Sequence, residues 1–153
     1  MKYNHLIVSY SDSMKLLGNI IWILFGGLWL ALSWWITAII MIVFIVTIPW
    51  AKAAFELGTF SLMPFGKTVI DRSEISGKKD IGTGTLGTIG NVIWLLLAGI
   101  WLAIANLILG ALFSITIIGI PFGIQCFKLA KASLMPIGKQ IVDIDVKKAI
   151  QGK

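Results

Sequence analysis

Residues 16–51 read LLGNIIWILFGGLWLALSWWITAIIMIVFIVTIPWA, 36 positions between Lys15 and Lys52 without one charged side chain. A second uncharged run of 47 positions, residues 81–127, lies between Asp80 and Lys128, and its strongly apolar part begins near Ile89. A hydrocarbon core of about 30 Å is crossed by roughly 20 helical residues. A single helix over the first run would measure about 54 Å, too long for one span even with ordinary tilt. Two helices of about 16–18 residues, folded back as a hairpin, fit better. They are short for a complete crossing, so a re-entrant pair is admitted as well. The turn is expected at Ser33-Trp34-Trp35 in the first run and between Asn106 and Gly110 in the second. Trp34 and Trp35 would then sit at the far interface, which indoles favour.

The rest of the composition agrees with a membrane protein. Of 153 residues, 58% are hydrophobic and 13% charged, with a mean hydropathy of +0.92. An ordinary soluble domain carries roughly 25% charged and about 45–50% apolar residues. One small core cannot hide this much apolar surface, and disorder is excluded for the same reason. The formal charge is +6. Nucleic-acid binding would need a basic stripe interleaved with stacking aromatics. Most aromatics sit in the uncharged runs instead, so no nucleic-acid partner is expected, and the charge reads as positive flanks of membrane segments.

Two hairpins would put both termini and the middle linker on one side. All 13 basic residues would then share it: Lys2, Lys15, Lys52, Lys67, Arg72, Lys78, Lys79, Lys128, Lys131, Lys139, Lys147, Lys148 and Lys153. One span per run would split them 8 to 5. Cytoplasmic loops carry the excess of Lys and Arg, which favours hairpins with everything polar in the cytoplasm. A lone cysteine, Cys126, allows no intramolecular disulfide. No signal peptide is expected, because the first 15 residues are polar and the following apolar stretch is too long for a signal core.

The chain is a duplication. A shift of 72 aligns residues 18–71 with 90–143 without a gap, giving 22 identities in 54 positions. Gly18-Asn19 falls on Gly90-Asn91, Trp22 on Trp94, Trp29 on Trp101 and Pro49 on Pro121. Ser61-Leu62-Met63-Pro64 falls on Ser133-Leu134-Met135-Pro136, and Gly66-Lys67 on Gly138-Lys139. Shared apolar composition alone would not place Asn, Trp, Pro and Lys in register. An even number of crossings per unit makes the repeat parallel, with its axis along the membrane normal.

Gly90-Asn91-Val92-Ile93-Trp94, the stretch from Ile115 through Gly119-Ile120-Pro121-Phe122-Gly123 to Ala130, and Ser133-Leu134-Met135-Pro136-Ile137-Gly138-Lys139 together resemble the YccF family of bacterial inner membrane proteins. The resemblance covers nearly the whole chain. It implies two tandem copies of one domain in the inner membrane and carries no established activity. The first unit departs from the pattern, since Thr47-Ile48-Pro49-Trp50-Ala51 lacks both glycines.

The expected fold is therefore an all-α integral membrane protein. It consists of a cytoplasmic segment (1–15), a first hairpin repeat (16–71), a cytoplasmic linker (72–89), a second repeat (90–143) and a cytoplasmic tail (144–153), with about four membrane-embedded helices. Pro49 and Pro121 read as kinks that steer the helices into the interface, or, with Gly119 and Gly123, as a gate. The segments holding Lys52, Glu56, Lys128 and Lys131 read as interfacial amphipathic helices. Pro-x-Gly turns followed by β-branched residues at 67–71 and 139–143 suggest short cytoplasmic strands, and residues 4–10 a further one. The Gly- and Thr-rich stretch 76–88 reads as a flexible linker, not a phosphate loop, because no Gly-Lys-Ser/Thr follows.

Gly27/Ala31, Gly99/Ala103 and Gly119/Gly123 are small-residue pairs that bring helices close. Asn19 and Asn91 either bond across a helix interface or line a permeation path with Thr47 and Thr116. Neither uncharged run holds Asp, Glu, Lys, Arg or His, which argues against a proton-coupled pump. With one histidine, His5, and one cysteine, no metal or other cofactor is expected, and no enzyme. Three functions remain open. The chain is a homo-oligomeric channel for ions or small solutes, a membrane scaffold or accessory subunit for another membrane protein whose basic face binds anionic lipid, or a small carrier.

Overall fold

The computed structural model describes residues 2–43 and 47–152, with side chains from residue 10 onward except at 49. These residues form two units of one design. In the first, α1 (Lys2–Trp22), a π-helical turn (Ile23–Gly27) and α2 (Leu28–Val43) make one bent rod. Helix α3 (Ile48–Leu62) runs back along α2 and is followed by β1 (Lys67–Asp71) and α4 (Arg72–Ser76). In the second, α5 (Thr85–Trp94), a π-helical turn (Leu95–Gly99) and α6 (Ile100–Ser114) make the rod. Helix α7 (Ile120–Leu134) returns along it, followed by β2 (Lys139–Asp143) and α8 (Ile144–Gln151). Residues 10–43 and 85–114 are each long and apolar enough to cross a membrane, and most of their surface is left uncovered. Residues 4–10, read above as a strand, belong to α1.

The expected turns at Ser33–Trp35 and Asn106–Gly110 are absent, and helix runs through both. The polar side chains there bond the carbonyl one turn back: Ser33 Oγ to Trp29 O, Thr37 Oγ1 to Ser33 O and Asn106 Nδ2 to Leu102 O, each at 2.8 Å. Such back-bonding satisfies a polar group without ending the helix. The return arms begin instead at Pro49 and Pro121, each in the first turn of its helix. A first-turn N–H has no helical acceptor, so proline costs nothing there and its fixed φ suits the start. The prolines therefore open the return arms rather than kink a continuing helix.

This moves two groups of residues. Lys52, expected beside the cytoplasmic ends, lies in the opening turns of α3 at the opposite end from β1. Trp34 and Trp35, expected at a turn, sit mid-rod between helices. Trp34 packs against Trp94 of the other unit with ring centroids 6.1 Å apart, and Trp35 against Phe55 at 6.0 Å.

The two units meet at an antiparallel ribbon of β1 and β2. Its register sets Val69 opposite Ile141, its own repeat equivalent. The bonds that close the ribbon's ends are also equivalent: Arg72 N–H to Gly138 O at 2.9 Å and Ile144 N–H to Gly66 O at 3.0 Å. A two-fold axis normal to the ribbon thus exchanges the strands. Such a rotation keeps both hairpins on the same face of the ribbon. Each strand is entered by a turn whose third residue, Gly66 (φ 80°) or Gly138 (φ 82°), lies in the left-handed region, the requirement that selects glycine in a type II turn. The core joins the two units, with Trp22, Leu57, Phe60, Cys126, Leu129 and Ala132 buried in one cluster.

Candidate functional site

The residues the two copies share build the same clamp twice. Asn19 Nδ2 donates to Phe65 O at 3.2 Å, and Phe65 N–H donates to Asn19 Oδ1 at 3.0 Å. Asn91 makes both bonds to Ile137, each at 3.0 Å. One turn further on, Trp22 Nε1 donates to Ser61 O at 2.7 Å and Trp94 Nε1 to Ser133 O at 2.8 Å. Each clamp ties the base of the long rod to the end of its return helix. Backbone groups there lie in or just beyond the last helical turn and need side-chain partners. Gly18 and Gly90 lie close enough to Phe65 and Ile137 that a Cβ would come within 2.9 Å of either ring or methyl. Both asparagines are thus spent on the backbone of a turn, and both are buried.

The opposite end of the second hairpin holds the remaining expected residues. Thr116 accepts from Gly119 N–H at 3.0 Å and caps the turn. Gly119 and Gly123 have ordinary or buried helical positions rather than a hinge geometry: Gly119 has φ −78°, and a Cβ on Gly123 would collide with Ser114 and the Gly110 carbonyl. Thr47 bonds the Met41 carbonyl in the equivalent place. The turn is apolar and uncovered, with Ile115, Ile117 and Ile118 at 78%, 87% and 84% exposure. Its backbone is largely self-satisfied, since Thr116, Gly119 and Ile120 N–H all donate to carbonyls within the turn.

Between the units lies an apolar groove of about 460 Å³ lined by Trp22, Phe25 and Gly26 of the first and Asn106, Phe113 and Phe122 of the second. Phe122 stacks on Trp22 at 6.3 Å and meets Phe65 edge-on at 5.6 Å. Asn106 occupies the position of Trp34 in the first unit. There Trp34 packs against Trp94, so the two units differ beside the groove. Gly26 (φ 143°) bends the rod beside it, where the second unit has Ala98. These residues carried no functional motif, and divergence between otherwise aligned copies is the signal that marks them.

At the ribbon end, Lys128 and Lys131 project from α7. Lys128 Nζ donates to Gln125 Oε1 at 3.0 Å and to Lys67 O at 3.4 Å, while Lys131 is exposed. Lys139 pairs with Asp71 at 2.8 Å. The stretch read as a flexible linker is tied down. Arg72 meets Asp80 at 3.0 Å, and the Asp80 carboxylate accepts from Thr83 N–H at 2.8 Å. That amide bond, followed by the Thr83 hydroxyl and the Arg72 charge, holds Asp80 below the ordinary carboxylate range.

Comparison with known proteins follows the same division. Residues 17–67 and 89–139 each match the YccF inner membrane component domain. The chain is similar to the inner membrane protein YccF of Escherichia coli K12, 34% identical over 137 residues, 89% of this chain and 93% of that one. The protein of the same name from Shigella flexneri matches equally. No solved structure matches.

Proposed function

This chain belongs to the YccF family of inner membrane component domains, and on that premise we propose that it is a membrane-embedded scaffold or accessory subunit whose two hairpins enter the bilayer from the cytoplasmic side with their tips inside the membrane. The apolar tip of the second hairpin carries this reading. A loop emerging into water would be polar, yet Ile115, Ile117 and Ile118 stand bare there. The return helix α7 has 15 residues, about 22 Å long against a hydrocarbon core of about 30 Å. Backbone buried in lipid must satisfy its own hydrogen bonds, as the tip's turn largely does. Lys52, near the other tip, reaches toward the far headgroups on its long stem. The ribbon, α4, α8 and the tied linker form a charged platform in the cytoplasm, the side on which both termini lie in this reading.

A channel assembled from several copies is the second reading. It is favoured by Ser33 and Thr37, one turn apart on α2, whose hydroxyls could face a shared path. Reconstituted protein separates the two. The scaffold reading expects no unitary current in planar bilayers and a native mass in nanodiscs below that of a ring. Discrete conductance steps altered by Thr37→Ala, carried by a complex of five or more copies, would establish the channel instead.

A further inference from the structure

The wall of the ribbon holds a pocket of about 450 Å³ that neither the clamps nor the groove uses. Lys128 and Lys131 of α7, Lys139 of β2 and Lys147 of α8 line it, with no carboxylate among the lining residues. Lys139 is neutralised by Asp71. Among the described residues the other three lysines have no acidic partner. Lys128 and Lys147 reach only neutral acceptors, Gln125 Oε1 and the Lys67 and Val69 carbonyls. Leu95 and Met135 add an apolar wall to the lining. Leu95 opens the π-helical turn of the second rod, so the wall leads from the ribbon down into the hairpin.

The repeat shows that this chemistry is not inherited from the fold. The positions equivalent to Lys128, Lys131 and Lys147 are Glu56, Thr59 and Ile75. A small neighbouring hollow at Glu56, which shares Val69, Ala132 and Lys139 with this pocket, holds only about 10 Å³. One copy alone has acquired three cations around one cavity.

We infer that this pocket binds the phosphate headgroup of an anionic phospholipid, with the acyl chains running along Leu95 and Met135. Ammonium groups between membrane helices near the cytoplasmic surface suit a phosphodiester. The apolar wall selects a lipid over a free phosphate. The inference rests on the ribbon lying at the bilayer surface, as proposed above. It is read in detergent, so a failed insertion depth would not mimic its failure.

The test is native mass spectrometry of the full chain in a neutral maltoside detergent. Dioleoylphosphatidylglycerol or dioleoylphosphatidylcholine is added singly, with inorganic phosphate as competitor. Retention of phosphatidylglycerol at least tenfold above phosphatidylcholine is expected. The Lys128→Gln/Lys131→Gln/Lys147→Gln variant should lose that preference. Lys131→Gln alone, at an exposed side chain that leaves folding intact, should weaken it about threefold, and the linker variant Lys78→Gln/Lys79→Gln should keep it. Equal retention of the two lipids, full retention by the triple variant, or equal loss in the linker variant would overturn the proposal. Displacement by millimolar inorganic phosphate would overturn it too, by giving the pocket to a free anion.

Discussion

Asn91→Ala is expected to destabilise the protein by roughly 3 kcal/mol, because it strands a buried donor and a buried acceptor at once. Asn91 is 9% exposed, and its amide serves both the N–H and the carbonyl of Ile137. Each buried group left unpaired costs about 1–3 kcal/mol. For a chain of this size the loss corresponds to a fall in thermal midpoint of roughly 10 °C, measurable in detergent by tryptophan fluorescence. Asn19→Ala should cost less, since its bonds are only partly buried. Asn106→Ala should cost little, because that side chain bonds only its own helix. A wild-type midpoint for Asn91→Ala would refute the clamp and return the residue to a path-lining role.

Gly123→Leu is expected to prevent the second hairpin from closing. The α6 and α7 backbones approach at Gly110 and Gly123, where any Cβ on Gly123 meets the Gly110 carbonyl and the Ser114 side chain. Small residues let membrane helices come this close, and packing is what joins them there. The equivalent pair in the first unit is Ala38 and Ala51, both buried, so that hairpin is spaced for methyl groups. Gly123→Ala should already cost about 1–3 kcal/mol, the range for overpacking, whereas Ala51→Gly should cost less. The readouts are yield of folded protein and resistance of the α6–α7 turn to proteolysis. Equal tolerance at positions 51 and 123 would contradict the closer approach of the second pair.

The duplication was legible because Asn, Trp, Pro and Gly recur in register, and the structure gives those residues their common task. That task was not legible. Asn19 and Asn91 meet partners 46 residues away, and nothing local distinguishes a clamp from a polar residue facing a path. The turn positions were misread for a physical reason. The reversals lack the Asp and Asn clusters that mark turns in water. Pro49 and Pro121, the latter with Gly119, marked the reversals, and proline fits a helix start as well as a kink. Lys52 accordingly lies at the hairpin end away from β1. Strand segments could be read from Pro-x-Gly and alternation, but the register that sets Val69 against Ile141 is a property of the two units together.

The insertion of both hairpins from one side, with the tips held in lipid, is tested most directly by a nitroxide on Ile118→Cys in a Cys126→Ala background, in bilayers. Its collision rates with oxygen and with a water-soluble nickel complex report depth. Insertion from one side gives oxygen-dominated relaxation at 118 and no reaction of that cysteine with an impermeant maleimide from either face, while Lys78→Cys reacts from one face only. Reaction at 118 from the face opposite Lys78 would show that the hairpin crosses completely and contradict the account.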